Sequence, residues 1–168
     1  RLSVNNTTIA TINEVGATSK EITATSSAIS ELDIVVFLKK TGSALNDVDY
    51  NIVPNTITIP AGSTIGTVVL STVNDTLYES PSDEQAIIEI DSVLRGTELG
   101  SQLVTVIIKS DDTAPTVTLT TGLPTISEDT TIAASSTSVT AMLSAVSGLD
   151  VVVTFGKTNS PAIDGTDY

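Results

Sequence analysis

The sequence contains no cysteine and no histidine, and these two absences exclude several classes of protein. A disulfide framework, a Cys/His zinc site and Ser-His-Asp or Cys-His catalysis all need residues that the chain lacks. Tryptophan is absent and aromatic residues make up only 3% of the chain, which disfavours a small-molecule or sugar site. Ser-Lys and paired-carboxylate catalysis stay open on composition, but no loop insertion that could form a pocket is visible. We therefore expect neither catalytic residues nor an organic cofactor.

Basic residues are also scarce. Seven Lys and Arg face 20 Asp and Glu, and the formal net charge is -13. Nucleic acid is not an expected partner, because phosphate binding needs basic residues gathered on one face. No apolar run approaches the roughly 18 residues of a membrane span, so we expect no direct membrane insertion. The chain begins at Arg1 without Met and shows no signal peptide, which we interpret as an excised fragment of a longer protein.

The residues that are present predict an all-β protein. Hydrophobic residues make up 40% of the chain, too many for a disordered acidic tail, and Val, Ile and Thr suit a pleated sheet. Apolar and polar residues alternate, as at Ile88 and Ile90 against Glu89 and Asp91. The fold class that we predict is a seven-stranded antiparallel Greek-key β-sandwich of the immunoglobulin-like type. Its strands are predicted at about 2–13, 19–29, 33–41, 49–59, 64–73, 86–93 and 103–109.

An internal repeat predicts the domain organisation. The segment that ends in Asp49-Tyr50 is repeated, with small shifts, in a segment that ends in Asp167-Tyr168. The repeating unit is about 115 residues, the size of one β-sandwich. We predict a complete sandwich over 1–112, a linker over 113–115 and the first half of a second copy over 116–168. We expect the parent chain to continue past Tyr168, with completion by strands of a partner as the alternative.

Strand direction predicts that acidic residues gather at one end of the first sandwich. If alternate strands run the same way, three loops and the exit of the last strand share that end. Two carboxylates 4 Å apart repel by about 4 kcal/mol at an effective dielectric of 20. Calcium with all-oxygen ligands would relieve this repulsion, whereas a solvated acidic surface is the alternative. The acids expected at this end are Glu14, Glu21, Asp47, Asp49, Asp75, Glu79, Asp83, Glu84, Asp111 and Asp112, against Lys20, Lys39, Lys40 and Lys109.

Four motifs resemble the Calx-β family: "TINEVG", "DVDY", "ITIPAGSTIGTVVLSTVNDTLYESPSDE" and "VTVIIKSDD". Calx-β domains are calcium-binding β-sandwiches found in sodium–calcium exchangers, integrin β4, matrix proteins and bacterial surface adhesins. Asn74 and Ser110 stand where the family usually has Asp, which implies fewer ions or weaker binding. A backbone carbonyl ligand is implied at Leu77. The metal ligands that the resemblance implies are Glu14, Asp49, Asn74, Asp75, Glu79, Asp83, Glu84, Asp111 and Asp112.

The resemblance and the repeat together predict a calcium-binding structural or adhesive repeat of a large secreted or cell-surface protein. We expect Ca²⁺ to make the junction between repeats rigid. The expected partners are neighbouring repeats of the same chain and other cell-surface or matrix proteins, and the expected location is extracellular. The main alternative is a calcium-independent structural module of an S-layer, matrix or filament protein. A receptor- or glycan-binding tip domain and an intracellular calcium sensor are further alternatives.

Overall fold

The computed structural model describes residues 2–4 (backbone only), 9–16, 18–79, 83–127 and 136–156. The contacts divide the chain into two compact units, Arg1–Asp112 (unit 1) and Thr113–Tyr168 (unit 2). Within the described ranges no helix is long and apolar enough to cross a membrane. The strands are β1 (Leu2–Val4), β2 (Ala10–Asn13), β3 (Ser19–Ser26), β4 (Ile34–Gly42), β5 (Tyr50–Ile52), β6 (Thr56–Ile59), β7 (Ile65–Thr72), β8 (Glu84–Leu94), β9 (Leu103–Lys109), β10 (Val117–Thr121) and β11 (Val139–Leu143).

Unit 1 consists of two sheets that share one apolar core. The first sheet has the order β1-β3-β7-β5 and the second has the order β2-β9-β8-β4-β6. The predicted alternation is observed: in β9, Val104, Val106 and Ile108 are buried, whereas the residues between them are not. Burying a side chain of this size stabilises the fold by about 1.5–3 kcal/mol. The prediction of an all-β, sandwich-type fold is confirmed.

Two predicted strands are each divided between the sheets. The strand predicted at 2–13 forms β1 in the first sheet and β2 in the second, and the strand predicted at 49–59 forms β5 and β6 in the same way. Pro54 lies at the second break, and it has no backbone N–H with which to continue a ladder. The interruption predicted near Pro54 is therefore the point at which the chain passes from the first sheet to the second. At each edge of the sandwich, one segment of the chain contributes a strand to both sheets.

One strand pair is parallel, which differs from the all-antiparallel arrangement predicted from the sequence. β2 runs parallel to β9 in a register from Ala10 opposite Val106 to Asn13 opposite Lys109. The backbone N–H of Glu14 donates to the carbonyl of Lys109 at 3.0 Å and extends the pairing by one residue. Because the strands are parallel, their carboxyl ends meet at the same edge of the sheet.

Gly66 of β7 lies at a close approach between the two sheets. A Cβ atom at this position would overlap the carbonyl group of Thr58 in β6, which belongs to the opposite sheet. Only glycine allows that close approach of two backbones. Tertiary packing thus explains why a glycine occurs within this strand.

Unit 2 contains one antiparallel pair among its described residues. β10 pairs with β11 from Val117 opposite Leu143 to Thr121 opposite Val139. The predicted half-repeat implies a third strand, but residues 151–156 form no strand. Glu128, Asp129, Asp164 and Asp167, the acids of the second copy, lie outside the described residues.

Candidate metal centre

The parallel pair β2–β9 brings three carboxylates together, which we call the strand-end triad: Glu14, Asp111 and Asp112. Glu14 directly follows β2, and Asp111 and Asp112 follow β9 after Ser110. One carboxylate oxygen from each of the three lies within 4.8 Å of the other two. Glu14 is buried, with 4% of its surface exposed, so its charge has little water around it.

A second group, the intersheet triad, consists of Asp49, Glu79 and Glu84. Asp49 directly precedes β5 of the first sheet, Glu84 begins β8 of the second sheet, and Glu79 lies in the loop between β7 and β8. One oxygen of each again lies within 4.8 Å of the others. The triad therefore joins both sheets at one end of the sandwich.

Backbone hydrogen bonds hold Asp49 in place before any ion binds. The N–H of Leu45 donates to Oδ2 of Asp49 at 2.6 Å, and the N–H of Asp49 donates to the carbonyl of Leu45 at 2.9 Å. The carbonyl of Asp49 accepts from the N–H of Val73 at 2.9 Å, which ties the start of β5 to the end of β7. This side chain is only 4% exposed and is preorganised as a ligand.

The buried hydroxyl of Thr72 joins the two sheets close to the triads. It donates to the carbonyls of Asn13 and Thr18, each at 3.1 Å. Asn13 ends β2 of the second sheet, whereas Thr72 ends β7 of the first. The backbone that presents Glu14 is therefore fixed to the strand that leads into the acidic β7–β8 loop.

The pKa values show that the two triads share one electrostatic field. The pKa of Glu14 is raised to about 7, mainly by burial and then by the charges of Glu79, Asp75 and Asp112, whereas a hydrogen bond from Ser110 opposes the shift. Burial also raises the pKa of Glu79, with Asp49, Asp75 and Asp112 adding to the effect. Glu14 therefore responds to a member of the other triad, and Glu79 does the same.

The carboxyl group of Glu84 interacts directly with the carboxyl group of Asp49. The pKa of Glu84 is raised to about 7. The largest cause is burial, and the next are the charge of Asp49 and a hydrogen bond with the Asp49 side chain. All these effects favour the protonated form of Glu84 when no cation is near. Within the described part of the chain, Glu84 Oε2 and Asp112 Oδ2 are buried and have no hydrogen-bond partner. A buried acceptor without a partner costs about 1–3 kcal/mol, and more when it is charged.

The oxygen set fits a hard divalent cation. Two oxygens bound to one Ca²⁺ at 2.3–2.6 Å lie at most about 5 Å apart, which agrees with the 4.8 Å limit within each triad. Carboxylate-only ligation favours Ca²⁺ or Mg²⁺ over Zn²⁺ or Cu²⁺. The two orphaned oxygens, Glu84 Oε2 and Asp112 Oδ2, offer lone pairs that such an ion would accept.

Local lysines leave this charge largely uncompensated. Lys109 Nζ lies 3.5 Å from Asp83 Oδ2, which belongs to neither triad. Lys39 pairs with Glu89 at 3.0 Å, and Lys40 donates to Asn46 Oδ1 at 3.0 Å. These three cations, expected near the acids, therefore make their closest described contacts with other groups.

The structure brings six of the nine predicted ligands into the triads and leaves three outside. Asp75 belongs to neither triad, although its charge raises the pKa of Glu14 and Glu79. Asp75 Oδ1 accepts from the N–H of Leu77 at 2.7 Å. The exposed Asn74 donates from Nδ2 to the carbonyl of Asp75 at 3.3 Å. Asp83 pairs with Lys109, as described above.

Ser110 is the site residue that the predicted ligand set omits. Its hydroxyl hydrogen-bonds the carboxylate of Glu14 and accepts from the N–H of Asp112 at 3.2 Å. The sequence feature that could identify Ser110 as a site residue is its position directly before Asp111, in the segment that follows β9. Ser110 thus fixes both ends of the strand-end triad without adding charge.

Comparison with known proteins supports a likeness of fold. No family model matches the sequence, and no curated protein matches it. Among solved structures, the calcium binding domain CBD12 of CALX1.1 has a TM-score of 0.52 and 19% identity, with 67% of this chain and 45% of that chain covered. CBD12 from CALX1.2 has a TM-score of 0.50 and 17% identity, with 61% and 42% covered.

The chain thus spans less than half the length of these two structures. Identities below 20% carry information about the fold and not about individual ligands. The Calx-β resemblance of the sequence motifs is accordingly supported at the level of the domain fold, since both of these structural neighbours are Calx calcium-binding domains.

Proposed function

We propose that unit 1 is a calcium-binding domain, in which the strand-end triad and the intersheet triad hold Ca²⁺. The observation that carries the proposal is the gathering of six carboxylates at one end of the sandwich, with Glu84 Oε2 and Asp112 Oδ2 buried and without a hydrogen-bond partner. A cation would take the place of the proton that the raised pKa of Glu84 favours, and it would supply a partner for both orphaned oxygens. Calx calcium-binding domains of the same fold add support.

In the metal-free protein, repulsion among the carboxylates of each triad favours the binding of a cation. Carboxylates about 5 Å apart repel by roughly 3 kcal/mol per pair at an effective dielectric of 20, so each triad is costly while ionised. Ca²⁺ supplies the opposing charge without requiring a reaction, and we propose no catalytic role. Asp49, Glu79 and Glu84 would bind one ion, and Glu14, Asp111 and Asp112 a second.

The proposed biological role is that of a structural or adhesive repeat of a secreted or cell-surface protein. Asp111 and Asp112 close unit 1 and directly precede Thr113, where unit 2 begins. An ion on the strand-end triad would fix the chain at this exit and make the junction with the neighbouring repeat rigid. Millimolar extracellular calcium would load sites with dissociation constants of about 10⁻⁴–10⁻³ M.

Calorimetric titration and thermal melting test calcium binding directly. At pH 7.5 we expect heat of binding for CaCl₂ and a weaker response for MgCl₂, because Mg²⁺ dehydrates reluctantly and prefers a tighter octahedron. Tenfold excess over the dissociation constant stabilises the protein by about 1.4 kcal/mol per site, which raises the melting temperature above that in excess chelator. No heat and an unchanged melting temperature would support the calcium-independent structural module instead.

A further inference from the structure

The dipeptide Thr72-Val73, at the end of β7, is hydrogen-bonded to the backbone beside both triads. The hydroxyl of Thr72 donates to the carbonyl of Asn13, the residue directly before Glu14 of the strand-end triad, at 3.1 Å. The N–H of Val73 donates to the carbonyl of Asp49 of the intersheet triad at 2.9 Å. Two adjacent residues therefore contact one ligand-bearing segment of each triad.

Tertiary pairing brings these segments together over a long distance in the sequence. Thr72 is 59 positions from Asn13, and it lies opposite Tyr50, the residue that follows Asp49. Asn13 ends β2 of the second sheet, whereas Thr72 and Tyr50 belong to strands of the first. The Thr72 hydroxyl is thus a contact between the sheets, at the place where each sheet presents a carboxylate.

The carbonyls that accept from the Thr72 hydroxyl also have other donors. The N–H of Thr72 donates to the carbonyl of Thr18 at 3.0 Å, and the hydroxyl of Thr18 donates to the carbonyl of Asn13. Without the Thr72 hydroxyl, the carbonyls of Asn13 and Thr18 would therefore keep one donor each, and neither would be orphaned. Loss of the hydroxyl should accordingly affect the position of Asn13 more than the stability of the fold.

We propose that Thr72 is a positioning residue for calcium: its hydroxyl fixes Glu14 relative to Asp49 and so raises calcium affinity without contacting the ion. This inference rests on the proposed function, calcium binding by unit 1. The Glu14 N–H is bonded to the Lys109 carbonyl at 3.0 Å, so the backbone at Glu14 is held by β9 on one side and, through Asn13, by Thr72 on the other. A ligand that is already held in place loses little freedom when an ion binds, and this preorganisation increases affinity.

Titration calorimetry with CaCl₂ at pH 7.5, on the whole 168-residue chain, tests the proposal. Thr72→Val keeps the shape of the side chain and removes the hydroxyl, and we expect calcium affinity to fall about fivefold or more. Thr72→Ser retains a hydroxyl and should stay within about twofold of the parent affinity. Thr72→Ala, a smaller side chain without a hydroxyl, should lose as much affinity as Thr72→Val, so the test does not depend on the folding of one variant.

The matched control is Ser26→Ala, which also removes a buried hydroxyl. Ser26 ends β3, whereas Thr18 directly precedes the start of that strand, so the control lies at the other end of the sheet. The Ser26 hydroxyl donates to the carbonyl of Ala28 at 2.7 Å. In chelator this variant should lower the urea midpoint, but calcium affinity should remain within about twofold of the parent value. Equal loss of affinity in Ser26→Ala and Thr72→Val would assign the effect to general destabilisation and would overturn the proposal.

Hydrogen exchange of the metal-free protein separates positioning from ion binding. In excess chelator, the Glu14 amide should exchange about tenfold faster in Thr72→Val than in the parent. The Gly62 amide, which is bonded to the Ser30 carbonyl at 2.8 Å, should not change. Unchanged exchange at Glu14 would contradict the positioning role.

Two further results distinguish this inference from the proposed function. If the parent binds calcium and Thr72→Val binds it equally well, the positioning role is wrong and the proposed function stands. If the parent shows no heat with calcium, the proposed function is wrong and this inference falls with it. Affinity as low in Thr72→Ser as in Thr72→Val would assign the effect to the methyl group and would also overturn the role of the hydroxyl.

Discussion

Individual carboxylates in unit 1 differ mainly in how much water surrounds them. Glu14 and Asp49 are buried, and the pKa of Glu14 and of Glu84 is raised to about 7, whereas Asp83 is exposed and pairs with Lys109. A solvated acid tolerates its charge, but a buried acid needs a proton or a cation. Burial therefore distinguishes Glu14 and Asp49 from surface acids such as Asp83, whereas Asp111 joins the strand-end triad as an exposed residue.

Replacing one carboxylate of the intersheet triad should separate stability from affinity. We expect Glu84→Gln to weaken calcium binding about tenfold or more, because it removes a charged ligand. In chelator at pH 8 the same variant should melt at a higher temperature than the parent protein, because a buried charge next to Asp49 is gone. Titration calorimetry and thermal melting measure the two effects.

The matched control for this substitution is Glu89→Gln. Glu89 lies on the same strand, is half-buried and pairs with Lys39 outside the triads. It should leave calcium affinity within about twofold of the parent value, since surface ion pairs contribute little. Equal loss of affinity in both variants would mean that calcium responds to net charge and not to the triad.

The stability of the metal-free protein should fall as pH rises. The folded pKa of Glu14 and Glu84 is about 7, above the ordinary 4.5, so their contribution to stability is complete below pH 4.5 and is lost as pH rises through 7. A unit of pKa shift corresponds to about 1.4 kcal/mol, so the shift of the buried Glu14 corresponds to about 3 kcal/mol. Water screens the half-buried Glu84, which adds less, so we expect a total loss of roughly 3–5 kcal/mol.

Urea unfolding at pH 5, 6, 7 and 8 in chelator measures this dependence. With saturating calcium the trend should reverse, because Ca²⁺ binds the ionised carboxylates and competes with protons. Glu84→Gln should flatten the metal-free curve. Metal-free stability that rises from pH 5 to pH 8 would contradict the raised pKa values.

At the scale of elements, two strand crossings and one parallel pair build the site. β2 brings Glu14 to the end of β9 because both strands run the same way, and β5 brings Asp49 to the first sheet while Glu84 begins a strand of the second. The strands predicted at 2–13 and 49–59 were each expected as a single strand, whereas each range contributes two strands, one to each sheet. A period-2 pattern looks the same in either sheet, so the sequence could not show where each strand changes sheets.

The close approach of β6 and β7 provides a test of the packing between the sheets. Gly66→Ala would place a methyl group against the Thr58 carbonyl, and backbone cannot move aside as a side chain can. We expect a loss of about 2 kcal/mol or more in the free energy of unfolding. Urea denaturation measures it, with Thr67→Val on the exposed face of the same strand as the control. Equal stability of Gly66→Ala and the parent would mean that the sheets lie further apart than described.

At the scale of the whole molecule, the proposed role of calcium is mechanical. The chain has no cysteine, so two nitroxide labels can be introduced at exposed positions without background, for example Thr25→Cys in unit 1 and Thr120→Cys in unit 2. We expect calcium to narrow the distribution of label-to-label distances measured by pulsed electron paramagnetic resonance. A pair within unit 1, Thr25→Cys and Ser101→Cys, should keep its width. If calcium binds but does not change the distance distribution between labels at positions 25 and 120, the proposed mechanical role is wrong. Calcium binding itself would not be contradicted by that result.

The sequence by itself determined the fold class and the surplus of acidic charge. β-branched residues at alternate positions stabilise only a pleated, half-buried strand, and 20 acids against seven bases need no structure to be counted. Strand direction and the Calx-β motifs further predicted that Glu14, Asp49 and Asp112 share one end. Asn74, Asp75 and Asp83 were predicted as ligands with them and lie outside both triads, a placement that a local motif does not show.

Only the tertiary structure decided which carboxylates are neighbours and which of them lose water. The strand-end triad depends on parallel pairing between residues 96 positions apart in the sequence, and the intersheet triad depends on contacts between opposite sheets. The raised pKa of Glu84 follows from burial beside Asp49, a property of packing and not of sequence. Desolvation is a collective effect of the whole sandwich, and for this reason the strongest candidate ligands became distinguishable only in three dimensions.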